Sequence, residues 1–438
     1  MAYLLNVVYC FALLAVAPWL AYQAVRKGKY RSGFAAKFLG LVPRRTTDQP
    51  CVWLHAVSVG EVNLLAPLIE RLQRDHPGVE CVVSTTTVAG LALAKTRLPN
   101  HTVFYCPLDF SWAVATAMRR MRPTVLVLVE LEIWPNLIRA AKRRGAKVAL
   151  INGRLSDRSC RGYHRLRPVF AGILRQFDLV AVQSETYASR FRRLGASVDS
   201  VHVTGSLKFD GAQTQRDNPA TERLRRLFDI ATDETILLAG STQEEEDRMV
   251  LSSFHALSET HPRLRLILVP RHPHRFEQVA QMIQQTGLSW MRRSQLDHVP
   301  ADRSARVLLV DTVGELGAWW GTADIAYVGG SMGVREGQNM IEPAAYGAAV
   351  SFGPRTKNFR QVATALLDRQ AAVVVHNVDD FTQFVAKMVA HPDQAAAMGQ
   401  RAAALVRSQL GATQRTTIAL GKLLNGGDIA QSRLRPAA

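Results

Sequence analysis

A glutamate at the end of an apolar run opens the chemical reading of this chain. In His55-Ala-Val-Ser-Val-Gly-Glu61 the apolar run stops, and Val62, Leu64, Leu65, Leu68, Ile69 and Leu72 then recur at helical spacing. Glu61 therefore falls at a strand-to-helix turn. A carboxylate there can take a proton from an attacking hydroxyl; it can also be an N-terminal glutamate that complements the helix dipole. Glu130 and Glu132 stand in Val127-Leu-Val-Glu-Leu-Glu-Ile-Trp-Pro-Asn136, at the carboxyl end of another apolar run, where parallel sheets collect function. Pairing with nearby arginines is the alternative.

A second group of residues has the character of an anion site. In the stretch from Ala326 to Val350, Gly329, Gly330, Gly333 and Gly337 let the backbone approach a ligand closely. A helix beginning near Asn339 would aim its N–H groups at a phosphate, and Glu342, one turn in, could accept from ribose hydroxyls. Arg271 and His272 sit between two prolines in Leu268-Val-Pro-Arg-His-Pro-His-Arg-Phe276, which stiffens Arg271 as a bidentate phosphate ligand. His272 and His274 lack a third ligand nearby, so no metal site is expected. Val203-Thr-Gly-Ser-Leu-Lys208 joins a strand to a polar turn, and Ser241 and Thr242 read as helix caps before an acidic helix start. Five arginines between 152 and 167 make a basic face for lipid headgroups or acceptor phosphates, or simply a solvated one.

These residues need parallel sheets to hold them. After a polar junction at 43–50, strand-like and helix-like runs alternate, as crossover connections between parallel strands require. Strands are expected at 52–56, 79–84, 102–106, 124–129, 147–151, 179–183 and 201–204, then, beyond a polar junction at 210–219, at 235–239, 264–269, 307–310, 325–328, 349–352 and 372–375. The fold class is α/β, with two doubly wound domains facing across a cleft: 45–209 and 218–425. The last dozen residues look loosely ordered.

Composition limits the partners. The 438 residues carry a formal charge of +18, which admits nucleic acid, anionic membrane or an acidic substrate. Five scattered cysteines without CxxC spacing argue against a disulfide framework or zinc. Residues 1–26 form a membrane anchor: Ala2 to Val25 is apolar apart from Asn6 and Gln23 and long enough to cross the bilayer. Lys27, Lys29, Arg31, Lys37, Arg44 and Arg45 follow, which places the bulk in the cytoplasm. An interfacial helix is the alternative, with the chain membrane-attached either way. No basic-aromatic reader motif supports nucleic acid.

Taken in order, the blocks at 55–61, 130–136, 152–156, 205–208, 240–242, 269–276 and 329–354 resemble the 3-deoxy-D-manno-octulosonic acid (Kdo) transferases. Ser-Val-Gly-Glu, Glu-Ile-Trp-Pro-Asn and Pro-Arg-His-Pro are the specific ones, and the likeness covers nearly the whole chain. The resemblance implies a GT-B architecture with a transmembrane anchor helix, and inverting transfer of Kdo from CMP-Kdo to the lipid A precursor, lipid IV-A, at the inner membrane. It implies an N-terminal acceptor-binding domain and a C-terminal CMP-Kdo-binding domain; the charge and anchor add an anionic membrane surface as partner, and with arginine, lysine and backbone donors for a phosphate leaving group no cofactor or metal is expected. Glu61 matches the family's base and Glu132 a further acidic residue. Gly205, Ser206, Lys208, Arg271, Ser331, Asn339 and Glu342 become donor contacts. One departure stands out: where the family usually has Gly-Gly-His-Asn, this chain has Glu336-Gly-Gln-Asn339, so Gln338 replaces a histidine.

Overall fold

A computed structural model describes residues 2–27 and 32–426; Lys29, Arg31 and the last dozen residues lie outside them. The chain divides into two compact units, one taking in Met1–Gly211 and Leu410–Ala438, the other Ala212–Gln409.

In the first unit, seven parallel strands are β1 (Cys51–His55), β2 (Glu80–Thr85), β3 (Thr102–Tyr105), β4 (Val125–Val129), β5 (Lys147–Gly153), β6 (Leu179–Val182) and β7 (Val201–Val203). They lie in the order β3-β2-β1-β4-β5-β6-β7. Every residue of β1 and β4 is buried, because helices cover both faces and neither side is left for polar residues. The strand period sorts the side chains: Trp53, Leu126, Leu128 and Leu150 enter one core layer, while Val52, Leu54, Val127 and Ala149 enter the other. Strand order reverses between β1 and β4, and that switch point is where such sheets open a crevice.

The second unit repeats the plan with β8 (Thr235–Thr242), β9 (Leu264–Pro270), β10 (Trp290–Arg292), β11 (Val307–Leu309), β12 (Ile325–Val328), β13 (Ala349–Phe352) and β14 (Ala372–Val374), in the order β10-β11-β9-β8-β12-β13-β14. Its switch point lies between β8 and β12. Strand β10 has no counterpart in the sequence reading, since three half-exposed residues, Trp-Met-Arg, at a sheet edge carry no apolar run.

The end of the chain departs from expectation. The second domain was expected to run to 425, but the helix Ala412–Leu424 packs on the helix Val59–Asp75 of the first unit. Its Ala412, Ala419, Leu420 and Leu423 join the core layer that holds Leu65 and Leu72. The carboxylate of Asp210 accepts the N–H groups of Gly411 and Thr413 at the helix start, where a negative charge suits the dipole. Gly421 permits the close approach, because a Cβ there would meet His76 Nε2 at 2.3 Å.

The helix Ala2–Lys27 is long and apolar enough to cross a membrane, with a mean hydropathy of 2.0 over its best window. The helix Phe34–Leu39 follows it and packs against the helix Ser111–Met121.

Candidate active site

The β1–β4 switch point gathers three carboxylates. Ser58 caps the helix Val59–Asp75, its Oγ accepting from the Glu61 N–H at 3.3 Å and donating to Glu61 Oε1 at 2.8 Å. The Val57 N–H donates to Glu61 Oε2 at 2.8 Å. Glu61 is thus both a capping-box residue and a buried carboxylate, 9 % exposed. Burial raises its pKa above the usual glutamate range; the bonds from Val57 and Ser58 and the charge of Arg154 oppose the rise, and Glu130 adds to it. An acid so placed is poised to exchange protons.

Glu130 ends β4 in a left-handed conformation, φ 61°, and is buried against Arg154 at 2.6 Å. The arginine pairing weighed for this segment is therefore realised at Glu130. Glu132 is half-buried and accepts from Trp134 Nε1 at 2.8 Å. Burial raises its pKa too, with Glu61 and Glu130 adding to the rise. His55 is fully buried, its ring edge-on to Trp134 at 6.0 Å and its Nδ1 within 3.0 Å of Ser84 Oγ. Burial pulls its pKa down to about 4, so it is neutral.

The loop after β7 belongs to the same edge. Asn152, at φ 52° at the end of β5, accepts the Leu207 N–H at 3.1 Å. This anchors Gly205, Ser206 and Lys208 in the first unit, whereas the other expected donor contacts belong to the second. Gly205 takes φ 91° and Ser206 is buried. Lys208 lies within electrostatic reach of Glu61, Glu130 and Arg154; burial lowers its pKa, and the two carboxylates oppose that. Left-handed, non-glycine residues at the ends of both β4 and β5 cost about 1–3 kcal/mol each, a strain that collects at functional sites.

In the second unit the glycine-rich loop holds an anion, but the anion is the chain's own. Glu246, 1 % exposed, accepts the N–H groups of Gly330, Ser331 and Met332 at 2.7, 2.8 and 3.0 Å and the Tyr327 hydroxyl at 3.0 Å. The N–H groups of Gly330, Ser331 and Met332 are therefore engaged within the protein. Ser331 is corrected with them: fully buried, its Oγ donates to Val328 O and accepts from the Gly353 N–H, both at 2.8 Å. Gly329 admits the end of β8, since a Cβ would meet Ser241 O at 2.6 Å. The expected helix at Asn339 starts at Ile341 and lasts five residues, too short for an anion site of its own. Asn339 Nδ2 instead donates to Glu342 Oε1 at 2.9 Å, and burial raises the Glu342 pKa against that bond. Arg271 is exposed beyond β9, with its N–H on Thr242 O at 3.1 Å. Gln338 lies under Gly330, where a Cβ would come within 3.0 Å of its Cγ.

Glu246 and Asn152 join the functional residues only in the folded chain. Glu246 is the last of three consecutive glutamates, and only its three-residue offset from Gln243 marks it as the member turned inward. No sequence signal distinguishes Asn152.

Two doubly wound α/β units, each with its loops gathered at the carboxyl ends of the strands, define a GT-B fold. A glycosyltransferase from Rickettsia africae shares it, with a TM-score of 0.54 and 13 % identity over 86 % of this chain and 99 % of that one. Residues 29–211 match the family described as 3-deoxy-D-manno-octulosonic-acid transferase (kdotransferase). The 3-deoxy-D-manno-octulosonic acid transferase of Bordetella pertussis is 33 % identical over 429 residues, covering 94 % of this chain and 98 % of that protein. That of Haemophilus influenzae is 31 % identical, covering 85 % and 87 %. The chain belongs to the Kdo transferase family.

Proposed function

We propose that the chain transfers Kdo from CMP-Kdo to lipid IV-A with inversion, Glu61 acting as general base. The observation that carries this is a buried glutamate of raised pKa at the switch point of the first unit, in a chain of this family. An acceptor hydroxyl gives its proton to a Glu61 carboxylate oxygen while its own oxygen bonds to the anomeric carbon of Kdo. The bond from that carbon to the phosphate oxygen breaks, and its electron pair leaves with CMP. A single displacement inverts the centre.

Arg154 and Glu130 tune the base from opposite directions. Glu132, fixed by Trp134, is a second acid of the acceptor site. Arg271, Asn339 and Glu342 are the donor contacts, Arg271 on the phosphate and the Asn339–Glu342 pair on the ribose hydroxyls. Ser331 supports this site from within rather than touching the donor. Lys208, with the Gly205–Ser206 turn that presents it, supplies positive charge for the phosphate as it departs. The acceptor binds to the first unit and CMP-Kdo to the second. The apolar helix and the +18 charge support attachment to the anionic cytoplasmic face of the inner membrane.

The test is mass spectrometry of lipid IV-A incubated with purified protein and CMP-Kdo. The expected product gains one or more Kdo residues. Absence of product, or competition by UDP or GDP as strong as by CMP, defeats the proposal.

A further inference from the structure

The helix Ala2–Lys27 is fastened to the first unit by a polar lock near its start. Asn6, 7 % exposed in an otherwise apolar helix, donates to Ser111 Oγ at 2.7 Å and accepts the Ser111 N–H at 3.0 Å. One turn on, the Tyr9 hydroxyl donates to Asp109 Oδ2 at 3.0 Å. That carboxylate also accepts the Asn136 and Leu137 N–H groups at 3.0 and 2.8 Å. Just past the other end of the helix, Ser32 Oγ lies 3.0 Å from the Tyr105 hydroxyl. Asn6, Tyr9 and Ser32 are thus tied to one short segment, Tyr105 to Ser111.

That is incompatible with crossing a bilayer. At 1.5 Å per residue Lys27 stands roughly 30 Å along the axis from Asn6, about the thickness of the hydrocarbon. With Asn6 held at Ser111, a spanning helix would leave Lys27 on the far side. The five steps from Lys27 to Ser32 reach at most roughly 18 Å, too short to return. The docked helix must run beside the unit, with its contacts concentrated near its start: Asn6 is buried and Tyr9 and Leu13 are partly covered, Leu14 to Trp19 are exposed, and partial cover returns at Leu20, Gln23 and Ala24.

The outward face is apolar, with Tyr3 83 %, Phe11 69 % and Leu14 69 % exposed. Exposed apolar side chains also stand on the neighbouring helices, Phe34 57 %, Leu39 54 % and Trp112 46 % exposed, over a ring cluster in which buried Phe110 meets Tyr9, Trp112 and Phe38. A shallow groove of about 390 Å³ lies between the helix and Trp112, lined by Tyr3, Phe11 and Leu14. An exposed apolar patch of this kind marks an interaction surface, and exposed Arg26 beside it suits anionic headgroups.

We propose that Ala2–Lys27 lies in the membrane plane, its inner stripe locked to the unit by Asn6 and Tyr9 and its outer face sunk into the acyl layer of one leaflet. This rests on the membrane attachment proposed above. The test uses the full chain with Cys10→Ser, which removes the one exposed cysteine among the described residues, plus either Tyr3→Cys or Asp48→Cys. Sealed vesicles of both orientations are treated with a membrane-impermeant maleimide. Expected is labelling of Asp48→Cys from one side only and, from either side, at least tenfold weaker labelling of Tyr3→Cys, which the acyl layer shields. In Cys10→Ser, Asn6→Cys, Ser111→Cys, a short bis-maleimide should join the two cysteines in membranes. Labelling of Tyr3→Cys from the opposite side, or no cross-link, overturns the in-plane helix while leaving attachment standing. A chain that stays in solution as a dimer closed by this face defeats attachment and the inference together.

Discussion

Replacing Glu61 by glutamine removes one negative charge and keeps the size of the side chain. The amide oxygen can still accept from Ser58 Oγ, but the amide nitrogen cannot accept from the Val57 N–H as Oε2 does at 2.8 Å. One bond is lost, a cost of about 0.5–1.5 kcal/mol. Against it, a carboxylate whose ionisation burial opposes is no longer ionised. The sign of that second effect depends on pH. The folded pKa is raised, so the contribution of Glu61 to stability is complete below its unfolded value and is lost as pH rises through the folded one. Glu61→Gln carries no such loss, so its melting temperature should gain on the wild type as pH rises from about 4 to 8, and should never fall more than a few degrees below it. Transfer is another matter, because loss of a general base costs roughly 10² to 10⁴ in rate, or about 2.7–5.5 kcal/mol of barrier. Single-turnover transfer from CMP-Kdo to lipid IV-A, with CMP-Kdo affinity by calorimetry on the same sample, separates the two effects. Affinity should stay within a few-fold. A rate within about threefold of wild type would refute Glu61 as base and turn attention to Glu132. Loss of both rate and cooperative melting would show the capping box to be its whole role.

The base must be ionised, so the acidic limb of kcat/KM should lie above the ordinary glutamate value of about 4.3. Arg154→Ala should move that limb to higher pH and Glu130→Gln to lower pH; shifts in the same direction would sink the assignment. Arg271→Ala should raise the KM for CMP-Kdo by roughly 10- to 150-fold, the equivalent of a charge-assisted bond of about 1.5–3 kcal/mol, and an unchanged KM would move the phosphate site elsewhere. Gln338→His should bind donor equally or more tightly by calorimetry. Glu246→Gln leaves an amide facing three N–H groups, so it should lower stability by about 1–3 kcal/mol and raise donor KM more than it lowers kcat. A kcat effect alone would argue against a role in shaping the donor loop.

Apolar runs made thirteen of the fourteen strands among the described residues legible, most plainly in β1 and β4, where burial of every residue leaves a nearly unbroken apolar run. Strand β10 escaped because its side chains are half exposed. Glu61 was legible because the change from strand to helix period fixes the turn it occupies. The pairs around it were not, since Arg154 on Glu130 and Asn152 under Leu207 join segments far apart in the chain, which local pattern does not encode. The glycine-rich loop misled for a related reason: glycines announce an open backbone but not which anion fills it, and a glutamate from eighty residues upstream does. Asn6 was visible as an interruption in an apolar helix, yet only the structure gives it Ser111.

The return of Ala412–Leu424 to the first unit has a consequence for biosynthesis. On the ribosome, the second unit is an unbroken segment and can close its core as soon as it emerges. The first, begun earlier, must wait for its last helix while about 210 further residues are made, roughly 10 to 40 s at ordinary elongation rates. Through that interval the face of Val59–Asp75 that will receive Leu420 and Leu423 is bare, on the helix that carries Glu61. Until Ala412–Leu424 has been translated, the nascent chain is therefore most exposed to chaperones and proteases beside the helix that carries Glu61.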